Sequence, residues 1–189
     1  MRNETAMEAA VATWLEMQDF VVARQVPIKA KRLDVVAYNK SEKVFKVFEC
    51  KAEDTPRAAT AAFRQILDYR RIILNNGNTF VRSTSKKMTM HFGKWMEATD
   101  RGQAIRVQFY VVLTDEACGK SGVVSRLLDL KRSYHRLGTN VGVLKFKSNG
   151  TCSESVRAKG EKHKVKVGDA TPERSQLKGW AAARIEPAS

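Results

Sequence analysis

Two short segments in the first third of the chain carry the apolar pattern of paired strands. Residues 33–38 and 44–51 are rich in Val and Phe, and the polar residues 40–43 between them fit a four-residue hairpin loop. Apolar side chains fall on both faces of the two segments, which predicts a sheet that is covered on both sides. The expected faces are Val36, Tyr38, Phe45 and Val47 on one side, and Leu33, Val35, Val44 and Phe48 on the other.

The rest of the chain alternates helical and strand patterns. Helical spacing of apolar positions predicts helices over 3–18, 57–73 and 123–137. Further strands are predicted over 20–23, 105–113 and 141–146, with a basic link formed by Lys29, Lys31 and Arg32 before the hairpin. This order predicts an α/β fold in which a mixed central β-sheet is flanked by helices.

The length of 189 residues favours one principal domain, predicted over residues 1–147. From residue 148 onward Ser, Gly, Lys and Glu dominate, so 148–189 is interpreted as a basic, partly disordered tail. Segment 83–103 interleaves lysines with Met and aromatic residues. It is either an insertion that contacts nucleic acid or a helix that packs on the core with a solvated face.

Charge indicates the kind of partner. The chain has 34 Lys and Arg against 20 Asp and Glu, a net charge of +14, and most of the excess lies in residues 81–147. A charge excess of one sign attracts polyanions. The charge therefore favours a nucleic-acid partner over a surface that is charged only for solubility. The candidate nucleic-acid contacts are Lys29, Lys31, Arg32, Arg64, Lys86, Lys87 and Lys94.

Cysteine and histidine usage indicates a reducing compartment and no zinc site. The three cysteines show no C-x-x-C spacing, and the three histidines stand far from any Cys or His partner. The sequence contains neither an apolar run of membrane-spanning length nor an apolar signal core at its start. A cytoplasmic protein without a membrane partner is therefore expected.

The hairpin places two acids where its apolar pattern should continue. Centring the loop on residues 41 and 42 sets Val36 opposite Val47 and Asp34 opposite Glu49. Directly opposed side chains have Cβ atoms about 4.5–5.5 Å apart, and like charges at that spacing destabilise a sheet. A divalent cation such as Mg²⁺ would offset this repulsion, because it takes oxygen ligands from one or two carboxylates.

Strand parity adds Lys51 to the acidic pair. Glu49 and Lys51 project to one face while Cys50 projects to the other, so the ammonium can position or polarise a metal-bound water. The alternative is a surface hairpin with solvated charges, since short acid and Lys patterns are common. The apolar residues on both faces argue against it, because they place the acids at the edge of a core.

Two helices supply further candidates. Glu8 lies at the margin of the apolar face of the first helix and is a candidate third carboxylate, with an ordinary exposed Glu as the alternative. Gln65 and Tyr69 are four residues apart on the next helix and share one face. Gln65 there could reach a scissile phosphate or its water, and the alternative is an interfacial Gln beside a half-buried Tyr.

These residues resemble the PD-(D/E)XK nuclease superfamily, which has the restriction-endonuclease-like fold. The similarity is carried by Glu8, Asp34, Glu49-Cys50-Lys51, Gln65 and Tyr69. The opening of the chain also resembles archaeal Holliday-junction resolvases, and the Gln-to-Tyr spacing resembles nuclease domains of bacterial recombination exonucleases. Leu33 stands where the motif's name has Pro, a position that is loose in the superfamily.

The resemblance implies a role for each matching residue. Asp34, Glu49 and the carbonyl of Cys50 would hold Mg²⁺, for which Mn²⁺ would substitute. Glu8 would be an outer or second-metal acid, and Lys51 would act on the attacking water.

The function expected from the sequence is a Mg²⁺-dependent nuclease that hydrolyses DNA phosphodiesters. An endonuclease is preferred, because the chain contains no helicase or P-loop module to drive processive digestion. A homodimer is the fold-based expectation where both strands are cut. The alternatives are an RNA-cleaving nuclease of the same fold and a catalytically silent nucleic-acid-binding module.

Overall fold

A mixed six-stranded sheet with helices on both faces forms the framework of the protein. The computed structural model describes residues 4–39, 41, 44–75, 106–136 and 141–154. The elements are α1 (Glu4–Glu16), β1 (Val21–Ile28), β2 (Lys31–Asn39), β3 (Val44–Lys51), α2 (Pro56–Asn75), β4 (Arg106–Thr114), α3 (Asp115–Gly119), α4 (Ser121–Arg136), β5 (Val141–Phe146) and β6 (Cys152–Glu154). The predicted α/β class and mixed sheet are confirmed.

The strands lie side by side in chain order, from β1 to β6. The first three strands are antiparallel, β3, β4 and β5 are parallel, and β6 is antiparallel to β5. Parallel neighbours need a crossover connection. The crossover from β3 to β4 contains α2, and that from β4 to β5 contains α3 and α4.

Two apolar layers enclose the sheet. On one face α1 buries an apolar stripe that includes Met7, Val11 and Leu15 against the side of β3 that carries Phe48. On the other face α2 and α4 cover the side that carries Val47. Strand β3 is therefore buried along its length, and only Lys51 at its end is partly exposed.

The predicted hairpin register is confirmed. Strands β2 and β3 pair Val36 with Val47 and Ala37 with Lys46, and the last matched pair is Val35 with Phe48. The next position brings Asp34 opposite Glu49. A loop of fixed length and the two-residue period of strands are both local properties, which is why the sequence predicts them.

The prediction for the face of Leu33 was wrong. Leu33 packs on the α2 side with Val36, whereas Val35 packs on the α1 side. The alternation of faces changes at Asp34, which lies opposite Gln25 of strand β1, and Gln25 has a left-handed backbone with φ of 52°. Such a conformation is unusual for a residue with a side chain and marks a local departure from regular strand geometry at this pair.

The predicted basic link is also replaced by regular structure. Strand β1 continues to Ile28, and Lys29 begins a tight turn with φ of 52° that leads into β2 at Lys31. Strand β6, at 152–154, lies within the segment interpreted as the tail and adds an edge strand to the sheet. Segment 83–103, Lys86, Lys87, Lys94 and residues 155–189 lie outside the described residues. None of the helices in the described ranges has the length and apolarity needed to cross a membrane.

Replacing Gly142 with Ala is expected to destabilise the protein by about 1–3 kcal/mol, because strand β5 passes very close to a buried ring. A Cβ at position 142 would lie 2.5 Å from Tyr110 Cδ1, and that ring is stacked on Phe48 with 4.9 Å between centroids. Thermal and urea unfolding would measure the loss. Gly119→Ala is the control, because nothing lies within 4 Å of its Cβ position. Equal stability of the two variants would contradict the close approach.

Candidate functional site

Asp34 and Glu49 meet where strands β2 and β3 separate. The backbone pairing of the two strands ends at Val35 and Phe48. Beyond that pair, the Cys50 N–H donates a hydrogen bond to Asp34 Oδ2 at 2.8 Å. A side-chain carboxylate thus serves as the acceptor in place of a backbone carbonyl. This bond fixes Asp34 beside the Glu49 carboxylate, with which it is in hydrogen-bonding contact.

Glu49 is fully buried, and its two oxygens have different surroundings. Oε2 accepts a hydrogen bond from the Tyr69 hydroxyl at 3.1 Å. Oε1 forms an ion pair with the Lys51 ammonium at 2.9 Å. A buried carboxylate needs such compensation, and here one ammonium lies beside two carboxyls, Glu49 and Asp34.

The two carboxyls resist ionisation together. Burial, followed by the charge of Glu49, raises the pKa of Asp34 to about 7. Burial also raises the pKa of Glu49, although Lys51 and Tyr69 oppose this effect. Two carboxylates that share one buried place cannot both ionise cheaply, so without a cation the pair retains a proton well above the usual range of acids.

Lys51 supplies a fixed positive charge at the pair. Burial opposes its charged form, but the carboxylates of Glu49, Glu4 and Asp34 outweigh this effect and raise the pKa of Lys51 above its usual value. The ammonium also lies 3.5 Å from Glu4 Oε2. Lys51 is therefore protonated at neutral pH, and it can donate hydrogen bonds or stabilise negative charge but cannot accept a proton. The predicted placement of Lys51 and Glu49 on one face is confirmed.

Cys50 lies on the opposite face, as strand parity predicts. Its side chain belongs to the apolar layer under α1, and burial raises the pKa of its thiol well above the usual value. Only the backbone of Cys50 can therefore contribute to a cation site.

Tyr69 and Gln65 reach the pair from α2. The Tyr69 side chain is buried, and its hydroxyl contacts both the Arg32 carbonyl, at 2.8 Å, and Glu49. Burial raises the pKa of Tyr69, so it remains a neutral phenol that holds Glu49 in place. Gln65 is hydrogen-bonded to Tyr69 and is partly exposed, so it connects the buried pair to the surface of α2.

Glu8 is buried beside the pair rather than within it. Its Oε2 accepts a hydrogen bond from Gln25 at 2.5 Å and lies 3.7 Å from Arg24. It is close enough for its charge to raise the pKa of Asp34. Its predicted role as a metal ligand stays a prediction, because no three His, Cys, Asp or Glu side chains in the described ranges form a group able to hold a metal.

The donor set fits Mg²⁺ better than it fits zinc or calcium. The described residues offer two adjacent carboxyls, those of Asp34 and Glu49, and the Cys50 backbone beside them. Zinc sites in proteins use three or four Cys, His or acidic ligands, and Ca²⁺ takes six to eight oxygens. Mg²⁺ is commonly bound through one or two carboxylates while it keeps several waters. Asp34 and Glu49 would hold it here.

The predicted nucleic-acid contacts are dispersed. Lys31 is ion-paired with Asp68, so much of its charge is neutralised. Arg32 is exposed at the start of β2 and donates to Gln25, and Lys29 is exposed in the adjoining turn. Arg64 lines a surface groove on α2. Lys86, Lys87 and Lys94 fall outside the described ranges.

Three residues near the site were not singled out from the sequence. Glu4 contacts Lys51, Gln25 holds Glu8, and Arg57 lines the groove beside Arg64. The seven-residue spacing of Arg57 and Arg64 was a usable signal, because it places both on one helix face. Nothing in the sequence marks the left-handed backbone of Gln25.

The comparisons with known proteins leave the site to be argued from its own geometry. No family model matches the chain, and no match is found among curated proteins or among solved structures.

Asp34→Asn is expected to stabilise the metal-free protein at pH 8 by about 1–2 kcal/mol, measured by urea unfolding in chelator. In the folded wild type the carboxyl holds its proton to about pH 7, whereas the unfolded chain releases it near the ordinary value of 3.8. The free energy of unfolding therefore falls as pH rises from about 4 to about 7, and Asn removes this loss while its amide oxygen still accepts from Cys50.

Asp129→Asn is the matched control, because Asp129 is exposed on α4 and lies far in sequence from the pair. Its stability should follow the wild-type pH dependence. An Asp34→Asn protein that is no more stable than wild type at pH 8 would show that the pair is not repulsive.

Proposed function

We propose that the protein is a Mg²⁺-dependent nuclease with a restriction-endonuclease-like core, and that it hydrolyses DNA phosphodiester bonds as an endonuclease. The observation that carries the proposal is the pair of adjacent carboxyls, the buried Glu49 and its neighbour Asp34, which together have a single ammonium beside them, that of Lys51 at 2.9 Å from Glu49 Oε1. Such an arrangement is costly in an empty core and useful where a cation and a polyanion meet.

The sheet order supports the same proposal. A hairpin followed by parallel strands brings the two acids to one end of β2 and β3, and the helix that follows supplies Gln65 and Tyr69. The resemblance noted in the sequence therefore has a consistent placement in three dimensions. This agreement supports the nuclease interpretation over a surface hairpin with solvated charges.

Each residue has a role that follows from its contacts. Mg²⁺ bound by Asp34 and Glu49 would lower the pKa of a coordinated water and offset charge on the phosphate. Lys51, which is held as an ammonium, would donate to a phosphate oxygen as negative charge develops there. Tyr69 keeps Glu49 oriented through its hydroxyl. Gln65 is partly exposed and interacts with Tyr69, so it would contact the phosphate or the water.

The hydrolysis itself forms one P–O bond from water and breaks the P–O bond to the leaving nucleoside. The water gives up one proton and the leaving oxygen gains one. The acids around Lys51 favour its ammonium form, which suits a donor to the phosphate oxygens.

Cleavage assays with Mg²⁺ test the proposal. Supercoiled plasmid, linear duplex, branched junction, single-stranded DNA and RNA of the same sequence would be incubated with the wild type and with Asp34→Asn, Glu49→Gln and Lys51→Gln. We expect DNA cleavage by the wild type, and a loss of at least about 100-fold in each variant, as is typical when one group that stabilises developing charge is removed.

Lys145→Gln is the matched control for Lys51, because Lys145 forms an ion pair with Asp115 at 2.9 Å on another strand. It should cut as fast as the wild type. Binding without cleavage of any substrate would favour the silent nucleic-acid-binding module, and preferential cleavage of RNA would favour the RNA nuclease. Variants that cut as well as wild type would overturn the site.

A further inference from the structure

The exposed face of α2 is a stripe of arginines. Its outward residues recur at alternating intervals of four and three, the spacing of one helix face. They are Arg57, Ala61, Arg64, Asp68 and Arg71. The three arginines are thus seven residues apart, or about 10.5 Å along the helix axis for each interval.

A groove of about 540 Å³ lies on this stripe. It is lined by Arg57, Thr60, Ala61, Arg64 and Gln65. Ala61 is the smallest of these side chains and leaves a gap between the two arginines. Two guanidinium groups that flank a gap match a phosphate, since each presents a fork of donors to its oxygens.

The groove keeps its positive charge. Within the described parts of the chain, neither Arg57 nor Arg64 forms an ion pair with an acidic side chain, and the one acid of the stripe, Asp68, pairs with Lys31. A third guanidinium borders the groove, because Arg126 of α4 donates from Nε to the Thr60 hydroxyl at 3.0 Å. This partner is neutral, so Arg126 also keeps its charge.

The groove adjoins the candidate site through one residue. Gln65 lines the groove and is hydrogen-bonded to Tyr69, which in turn contacts Glu49. Ala61 and Gln65 are four positions apart, a rise of about 6 Å along the helix, so the groove and this network are neighbours.

We propose that Arg57 and Arg64, with Arg126 beside them, bind a phosphodiester of the nucleic-acid strand near the bond that is cut. The inference rests on the proposed function for the position of the cut bond. It assigns a role to Arg57 and Arg126 and makes α2 the element that holds the strand over Glu49. A backbone contact of this kind positions the strand without reading its sequence.

Binding measurements at several salt concentrations test this surface without requiring cleavage. Fluorescence anisotropy would follow labelled DNA and RNA oligonucleotides of one sequence, in chelator, with wild type and with an Arg57→Gln, Arg64→Gln double variant. The slope of log K against log salt should decrease in size by about 1, the value for one lost phosphate contact. Affinity should fall about tenfold.

The control is a Lys120→Gln, Arg132→Gln double variant, which removes the same charge from exposed ion pairs elsewhere. It should bind within about twofold of the wild type with the same salt slope. Unchanged thermal unfolding of both variants would show that the folds are intact, as expected for exposed side chains.

The outcomes separate the two proposals. If the arginine variant binds with the slope and affinity of the control, the binding surface is wrong, whether or not the protein cuts nucleic acid. If the wild type binds more tightly and with a steeper salt slope than the arginine variant but never cuts with Mg²⁺, the binding surface is supported and the nuclease proposal fails. If the arginine variant loses affinity for RNA but not for DNA, or the reverse, the result identifies which nucleic acid the groove binds. No binding to either oligonucleotide would overturn the surface.

Discussion

The burial of Glu49 is the constraint on which the rest of the site depends. A carboxylate at the end of a central strand, covered by helices, must be compensated by hydrogen bonds or charge. Tyr69 and Lys51 provide part of this compensation, while burial and the charge of Glu49 make ionisation of the adjacent Asp34 unfavourable. The helices that cover both faces of β3 are therefore also the reason why the pKa values of the two acids are raised.

The same burial separates the roles of the charged groups. It favours a shared proton on the two acids, while the acids keep Lys51 protonated. A cation bound at the pair would relieve the repulsion between the acids, so the proposed metal site would be stabilised by its ion. Gln25 lies beside the pair, because its left-handed backbone is opposite Asp34 and its side chain donates to Glu8.

The arginine groove on α2 would attract a polyanion, as the buried acids would attract a cation. Gln65 stands between the buried network and the arginine groove of α2. Lys31, a basic residue closer to the acids in sequence, is instead paired with Asp68. The net charge of the chain therefore does not by itself decide which basic residues can contact the proposed polyanion, because ion pairs between individual side chains neutralise some of them.

The parts of the structure that the sequence predicts are those with a local cause. Loop length and strand parity suffice to place Asp34 opposite Glu49 and Lys51 beside it, and helical spacing places Gln65 beside Tyr69. The face of Leu33 depended on the backbone of a neighbouring strand, and the contact of Glu4 with Lys51 joins residues 47 positions apart. Such contacts are set by the tertiary fold and leave no mark in local sequence.

The proposed metal site can be tested by anomalous diffraction from crystals grown or soaked with Mn²⁺. We expect a peak between Asp34 and Glu49, about 2.1 Å from a carboxylate oxygen of Glu49, and the loss of that peak in Glu49→Gln crystals. Full occupancy of a manganese ion elsewhere, with none at Glu49, would contradict it.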